Sequence, residues 1–306
     1  MERPLISVIM STYNENVDEL KLSIYSILEQ TYSNIEFLIV DDNPERKSLN
    51  SFLREISDNR VKIIANDHNI GLVASLNKAL KMAKGTIIAR MDADDCALRD
   101  RLQKQYVYML ENNLDFLGTD IQLIDENNNI IRERMHFPST EKKIRTHIKY
   151  GNCVAHPTWM VKKAVYDELD GYRDIPSCED YDFVLRLLSK KKFRCGNAPF
   201  IGLKYRVRQS GISMSNSSSQ YLLRKYLAEK REHIDSLTER NIDDYKNSSE
   251  FAIKLSSYNC YLCDKKLLKK KPWIICCILF NKFLYDNILE RVHLYLRERD
   301  YEQRIS

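Results

Sequence analysis

Apolar runs of strand length at residues 5–10, 35–40, 61–65 and 86–91 alternate with segments of helical spacing, and no other feature restricts the 306-residue chain as much. The helical segments place Leu20, Ile24, Ile27 and Leu28, then Leu72, Leu76, Ala79, Leu80 and Ala83, at intervals that share one helix face. Repeated strand-helix units of this length favour a parallel sheet covered by helices on both sides, joined by right-handed crossovers. The expected class is therefore α/β, a Rossmann-like central sheet flanked by helices. In such sheets ligands bind beyond the carboxyl ends of the strands.

The polar residues collect at those ends. Ser11-Thr12-Tyr13-Asn14 follows the first run, Asp41-Asp42-Asn43-Pro44 the second, Asn69-Ile70-Gly71 the third and Met91-Asp92-Ala93-Asp94-Asp95 the fourth. Acids packed as closely as Asp92, Asp94 and Asp95 repel one another, so the cluster makes sense around a hard divalent cation carrying its own anionic ligand. Taken alone, the same acids could cap a helix starting near Arg99. An Asp-Asp after an apolar strand also opens the Mg²⁺-binding receiver modules of phospho-signalling proteins. A receiver, however, begins with that strand, whereas here a whole strand-helix unit precedes residues 37–42, and no convincing lysine partner follows. No Gly-x-Gly-x-x-Gly follows any strand, which argues against a dinucleotide enzyme.

The motifs resemble, in order, those of the nucleotide-sugar domain of inverting family 2 glycosyltransferases of the GT-A fold. That pattern is a strand ending in Thr-Tyr-Asn, a strand ending in Asp-Asp, an Asn-x-Gly loop, an Asp-x-Asp and a later Glu-Asp, here Glu179-Asp180. The resemblance covers roughly the first two thirds of the chain. It implies transfer of a hexose or N-acetylhexosamine from a UDP-sugar to a sugar hydroxyl, with inversion to a β-linkage, in bacterial O-antigen or capsule assembly. A related transferase using another nucleotide is the second reading.

On this resemblance Asp94 is a direct Mn²⁺ or Mg²⁺ ligand, Asp92 binds the ribose, a metal-bound water or the metal, and Asp95 supports them. Ser11, Thr12, Tyr13 and Asp42 hold the uridine, because Tyr13 can stack on a base and Asp42 can accept the uracil imide N–H. Asn69 and Gly71 shape the loop beside the diphosphate, Gly71 by allowing positive φ. Asp180 is the general base, although an acid at that point could merely cap the following helix; Glu179 is an acceptor contact or helix-dipole partner. His156 and Trp159 could hold a hydroxyl and stack on a sugar, or form a buried pair within a strand. Relatives often carry a metal-approaching His after Tyr205-Arg206-Val207, where this chain has Arg208. Arginine cannot ligate a cation, so Arg206 or Arg208 is read as a diphosphate contact. The Gln-x-x-Arg-Trp of processive relatives is not seen, which implies one sugar per encounter.

The remaining readings concern organisation. A catalytic domain is expected over 1–208, with a donor half at about 1–112 and an acceptor half at about 113–208, then a mobile loop or linker at 209–220 and a helical region at 221–306. Within the acceptor half, the patterns predict a helix over 101–110, strands over 116–124, 153–161 and 200–207, and helices over 162–169 and 181–188. The net charge of +5 is small, but Lys265 to Lys271 concentrates it beside the apolar 273–280. That stretch falls short of the ~20 residues a spanning helix needs. It suits either a membrane interface with anionic headgroups or a core helix. Eight cysteines without paired spacing, and an N-terminus without an apolar leader core, imply reduced thiols and a cytoplasmic enzyme, either free or at the inner face of the cytoplasmic membrane. The expected partners are a UDP-sugar and a polyprenyl-diphosphate-linked glycan, with no nucleic acid.

Overall fold

A computed structural model describes residues 3–175, 177–208 and 217–270. Strand β1 (Ile6–Thr12) lies between β2 (Ile35–Asp41) and β4 (Ile87–Arg90), parallel to both, and β3 (Val61–Ala65) extends the parallel set beyond β2. Every residue of β1 is buried, which is why its sequence is nearly continuous in apolar residues rather than alternating. Its two faces feed separate cores. Val8 and Met10 pack with α1 (Val17–Leu28), α2 (Lys47–Glu55) and α4 (Arg101–Glu111). Ile9 packs with α3 (Leu72–Met82), α6 (Lys163–Leu169) and α7 (Glu179–Ser189) on the other face.

Beyond β4 the sheet turns mixed. Its strand order is β3-β2-β1-β4-β8-β6-β9-β5, with β7 paired to β6. Here β5 is Cys96–Ala97, β6 Phe116–Ile124, β7 Ile130–Met135, β8 Met160–Lys162 and β9 Cys195–Arg206. Because β8 runs antiparallel to β4 and β9 runs parallel to β6, the carboxyl end of β9 returns to the acid-bearing turn after β4. One continuous sheet thus joins the two expected halves.

Two segments depart from the pattern-based expectation. Residues 153–161 do not form a strand: His156–Thr158 is a 3₁₀ turn with Pro157 at its start, and β8 is only three residues long. Proline cannot donate to a ladder, so the apolar run is interrupted there. Strand β9 begins at Cys195 instead of residue 200; Pro199 falls where the β6–β9 register shifts between Thr119 and Asp120, a bulge that tolerates the missing N–H. Helix α5 (Glu141–His147) and the short strands β5 and β7 lack a periodicity strong enough to announce them.

The C-terminal part is helical where described: α8 (Ser217–Glu229), α9 (Glu239–Lys246) and α10 (Ser249–Lys270). Residues 217–220, expected in a loop, form the first turn of α8. The rest of the serine-rich segment, 209–216, and the apolar stretch 273–280 lie outside the described residues. Among the described residues no helix is long and apolar enough to cross a membrane.

Candidate active site

The carboxyl ends of β1 and β2 build one rim of the site. Thr12 Oγ1 and the Tyr13 amide both donate to Glu15 Oε2, at 2.7 and 2.8 Å, which turns the chain outward and leaves the Tyr13 ring 44% exposed. Asn43 Nδ2 donates to the Tyr13 carbonyl at 3.0 Å, tying the two strand ends together. Ser11 is buried just behind this turn. The Asp42 carboxylate accepts from Asn66 Nδ2 and the Ile70 amide at 2.8 Å each, and from the Gly71 amide at 2.9 Å. A carboxylate offers about four lone-pair sites, so one position is left for an outside donor. Gly71 reaches this geometry at φ 85°, ψ 163°, a region essentially closed to residues with a Cβ, and Asn69 Oδ1 also accepts from its amide at 2.9 Å. The Asn69-Ile70-Gly71 loop is thus folded onto Asp42.

The acid turn after β4 is held by three arginines. Arg90, almost wholly buried, places Nη2 2.5 Å from Asp92 Oδ1. Arg208 donates from Nε to Asp94 Oδ2 at 3.0 Å and from Nη2 to Glu19 Oε2 at 2.5 Å. The Arg206 amide donates to Asp95 Oδ1 at 2.8 Å, while its guanidinium serves the carbonyls of Asp94, Asp125 and Glu126 and the Asn128 side chain. That guanidinium is fully buried and pins the β6–β7 turn to the acid turn, so Arg206 is corrected from diphosphate contact to structural clamp. The acids do not cap α4, whose N-cap is Asp100. Burial, then Asp92, pushes the Asp94 carboxyl up to about 6; burial with Asp94 and Asp92 beside it raises Asp95 well above its usual range.

The third part comes from the acceptor half. Glu179 and Asp180 occupy the first turn of α7, after an N-cap at Cys178, where the helix dipole favours negative charge. Asp180 Oδ2 accepts from Asn152 Nδ2 and Oδ1 from the Tyr181 amide, both at 2.6 Å. Burial raises the Asp180 carboxyl, those two hydrogen bonds oppose the rise, and the negative charge of Asp92 adds to it. Asp92 raises Glu179 as well. The Glu-Asp pair and the Asp-x-Asp turn, 85 residues apart between Asp95 and Asp180, are therefore within electrostatic reach of one another.

Glu179 is buried, and burial followed by Asp180 pushes it up to about 8. A folded-state value above the unfolded one makes this group's contribution complete at low pH and progressively lost as pH rises from about 4.5 to about 8, by up to roughly 1.4 kcal/mol per unit. Glu179→Gln is accordingly expected to melt above wild type at pH 8, with the gap closing toward pH 5. Parallel melting curves across that range check it, and a gap independent of pH would contradict the shift.

The aromatic residues fall differently from expectation. Trp159 is 0% exposed, with Nε1 donating to the Val154 carbonyl and its ring packed edge-on to Phe116, so it is a core residue and not a sugar platform. His156 Nε2 lies 2.9 Å from the Tyr172 hydroxyl, which in turn meets that of Tyr166 at 3.0 Å; burial, then Arg90, depresses the His156 imidazole well below its usual value. His156 is thus a neutral, hydrogen-bonded member of the aromatic cluster of Trp159 and Tyr172. Three site residues went unread in the sequence: Arg90, Asn152 and Glu19. Only Arg90 left a signal, since an arginine inside a buried apolar strand demands an anionic partner nearby.

No group of three metal-binding side chains with suitable geometry occurs among the described residues. The donor set nevertheless fits a divalent ion: Asp92 and Asp94 press negative charge together, and Mg²⁺-type sites commonly use one or two carboxylates completed by substrate phosphates and water.

The sequence model of glycosyl transferase family 2 matches residues 7–169, and the chain belongs to that family. It is a glycosyltransferase, and its sheet and flanking helices are those of the GT-A fold, so the receiver reading falls away. Over 233 residues, 73% of this chain and 89% of the relative, it is 40% identical to the O-antigen biosynthesis glycosyltransferase WbnJ of Escherichia coli. An uncharacterized glycosyltransferase of Methanocaldococcus jannaschii is 37% identical over 230 residues, covering 74% of this chain and 79% of its own. The E. coli UDP-Glc:alpha-D-GlcNAc-diphosphoundecaprenol beta-1,3-glucosyltransferase WfgD is 33% identical over 214 residues, 70% of this chain and 81% of its own. Among solved structures, S. aureus TarS 1–349 in complex with UDP-GlcNAc has the same fold, with a TM-score of 0.60 at 18% identity over 82% of this chain and 78% of that one.

Proposed function

We propose that the protein transfers a hexose or N-acetylhexosamine from a UDP-sugar to a hydroxyl of a polyprenyl-diphosphate-linked glycan, forming a β-linkage in bacterial surface polysaccharide assembly. The observation that supports this reading is that Asp180, in the first turn of α7, lies within electrostatic reach of Asp92 in the turn after β4. In this reading one acid serves the nucleophile and two serve the leaving group. Uracil would stack on Tyr13, its imide N–H taking the remaining acceptor position of Asp42, with Ser11 and Thr12 lining the turn and Asn69 and Gly71 beside the diphosphate.

Asp94 and Asp92 would hold Mn²⁺ or Mg²⁺, which when bound neutralises the departing diphosphate. Asp180 takes the proton of the attacking hydroxyl as the bond from that oxygen to the anomeric carbon forms and the bond to the β-phosphate oxygen breaks. Asn152 holds the carboxylate in place for this step. Direct displacement inverts the anomeric centre, so an α-linked donor gives a β-product. Aligning the reactants on one rigid rim supplies much of the rate.

A UDP-sugar donor and a lipid-linked acceptor are both supported by WfgD, whose name gives UDP-Glc as donor and a diphosphoundecaprenol-linked sugar as acceptor. Lys265 to Lys271 would hold the enzyme at the anionic inner face of the cytoplasmic membrane, where such an acceptor resides. A panel of UDP-, GDP- and ADP-sugars, followed by nucleotide release with and without Mn²⁺, tests the reading. Release of UDP from one sugar, dependent on the metal, is the expected result; preference for a purine donor would replace uridine with another nucleotide.

A further inference from the structure

The three arginines around the acid turn are not equivalent. Arg206 is fully buried, bonded to carbonyl and amide oxygens and 3.6 Å from Glu19 Oε1, and Arg90 is buried against Asp92. Arg208 differs: its side chain is 25% exposed, Asp94 is 27% exposed and Glu19 15%, so the whole Glu19–Arg208–Asp94 bridge opens to solvent. Ion pairs of this kind are held weakly and exchange readily. Arg208 also bonds Asp94 Oδ2, an oxygen of the carboxylate that a metal on Asp94 would need. A divalent ion binds a carboxylate oxygen at about 2.1 Å, and a guanidinium bonded to the same carboxylate places like charge against it.

We propose that Arg208 is a displaceable counter-ion: it holds Asp94 while the donor site is empty and moves to the donor diphosphate when the divalent ion takes Asp94, pivoting on Glu19. This rests on the assignment of Asp94 as a metal ligand. Glu19, on α1, keeps its bond to Arg208 Nη2 through the exchange, so the guanidinium turns rather than leaves. The diphosphate offers paired oxygens that match the planar fork of an arginine. A metal arriving alone must displace the guanidinium with no anion to receive it, whereas a metal arriving with UDP supplies that anion. Metal and nucleotide therefore bind synergistically, and by linkage each tightens the other by the same factor.

The test measures Mn²⁺ binding by electron paramagnetic resonance with and without UDP, and UDP and uridine binding by calorimetry, on the full chain. Wild type is expected to bind Mn²⁺ weakly alone and much more tightly with UDP. In Arg208→Gln, Mn²⁺ alone binds about tenfold more tightly, UDP with Mn²⁺ binds more weakly, and uridine is unchanged, so the coupling factor collapses within the usual five- to roughly 150-fold range of such effects. Arg208→Lys keeps the charge and guards against a misfolded glutamine variant; an ammonium that cannot span Glu19 and Asp94 together should also lower the coupling. Unchanged Mn²⁺ affinity without UDP, or unchanged UDP affinity with Mn²⁺, overturns the proposal. Absence of Mn²⁺ binding in wild type under every condition would instead remove the metal assignment on which it rests.

Discussion

Asp180→Asn is expected to bind UDP near the wild-type level while transfer falls by at least about a hundredfold, the scale of a positioned general base. The amide has the shape of the carboxylate and keeps an oxygen for one of the two donors, Asn152 Nδ2 or the Tyr181 amide, but it cannot take a proton. Its other end meets a donor, a mismatch that costs about 1–3 kcal/mol, partly offset because a buried charge beside Glu179 and facing Asp92 is removed. The melting temperature should therefore move little. The uridine contacts proposed above lie at the ends of β1 and β2, on elements the substitution does not touch. Calorimetry with UDP and a single-turnover assay separate the outcomes. If UDP affinity and melting temperature fall together while the residual rate stays high, the acid is a helix-stabilising residue. The pH profile gives a second reading. The base must be ionised, and burial raises its carboxyl, so the wild-type rate should begin to fall above the ordinary carboxylate range as pH is lowered.

How much of this was legible in the sequence follows from which interactions are local. The parallel strands announced themselves because β1 and its neighbours are buried on both faces, leaving runs such as Ile35–Asp41 almost without polar residues. The strand-end motifs were legible because a short turn carries each of them. What the sequence hid was pairing across distance. Asn152 reaches Asp180 across 28 positions, and Glu19 reaches Arg208 across 189. No local pattern encodes either bond. Trp159 misled for the same reason: an aromatic after His-Pro looks alike whether it faces a sugar or Phe116, and only the packing of the 3₁₀ turn against β6 decides. Arg206 and Arg208, two residues apart, were indistinguishable by type and were separated only by burial.

Asp94→Asn should retain the fold and lose roughly a thousandfold in turnover, since a Lewis acid at a departing diphosphate contributes several kcal/mol. Stability changes little because two small effects oppose each other. The substitution removes a partly exposed ion pair with Arg208, worth about 1 kcal/mol or less, and relieves the burial of a charge and the repulsion from Asp92 that together push the Asp94 carboxyl up to about 6. A neutral amide cannot replace an anionic ligand, and Asp92, tied to Arg90 at 2.5 Å, would be left as the one carboxylate of the proposed pair. Uridine binding should persist, because the contacts proposed for Asp42 and Tyr13 are to the base and not to the phosphates. The Mn²⁺ dependence of UDP affinity, by contrast, should vanish, leaving UDP and uridine closer in affinity than in wild type. Thermal melting, UDP and uridine calorimetry at two Mn²⁺ concentrations, and turnover of the UDP-sugar identified in the donor panel check these outcomes together. Full turnover in this variant would place the metal, if one is used, elsewhere than on the turn after β4, and the acids there would then serve the arginines that surround them.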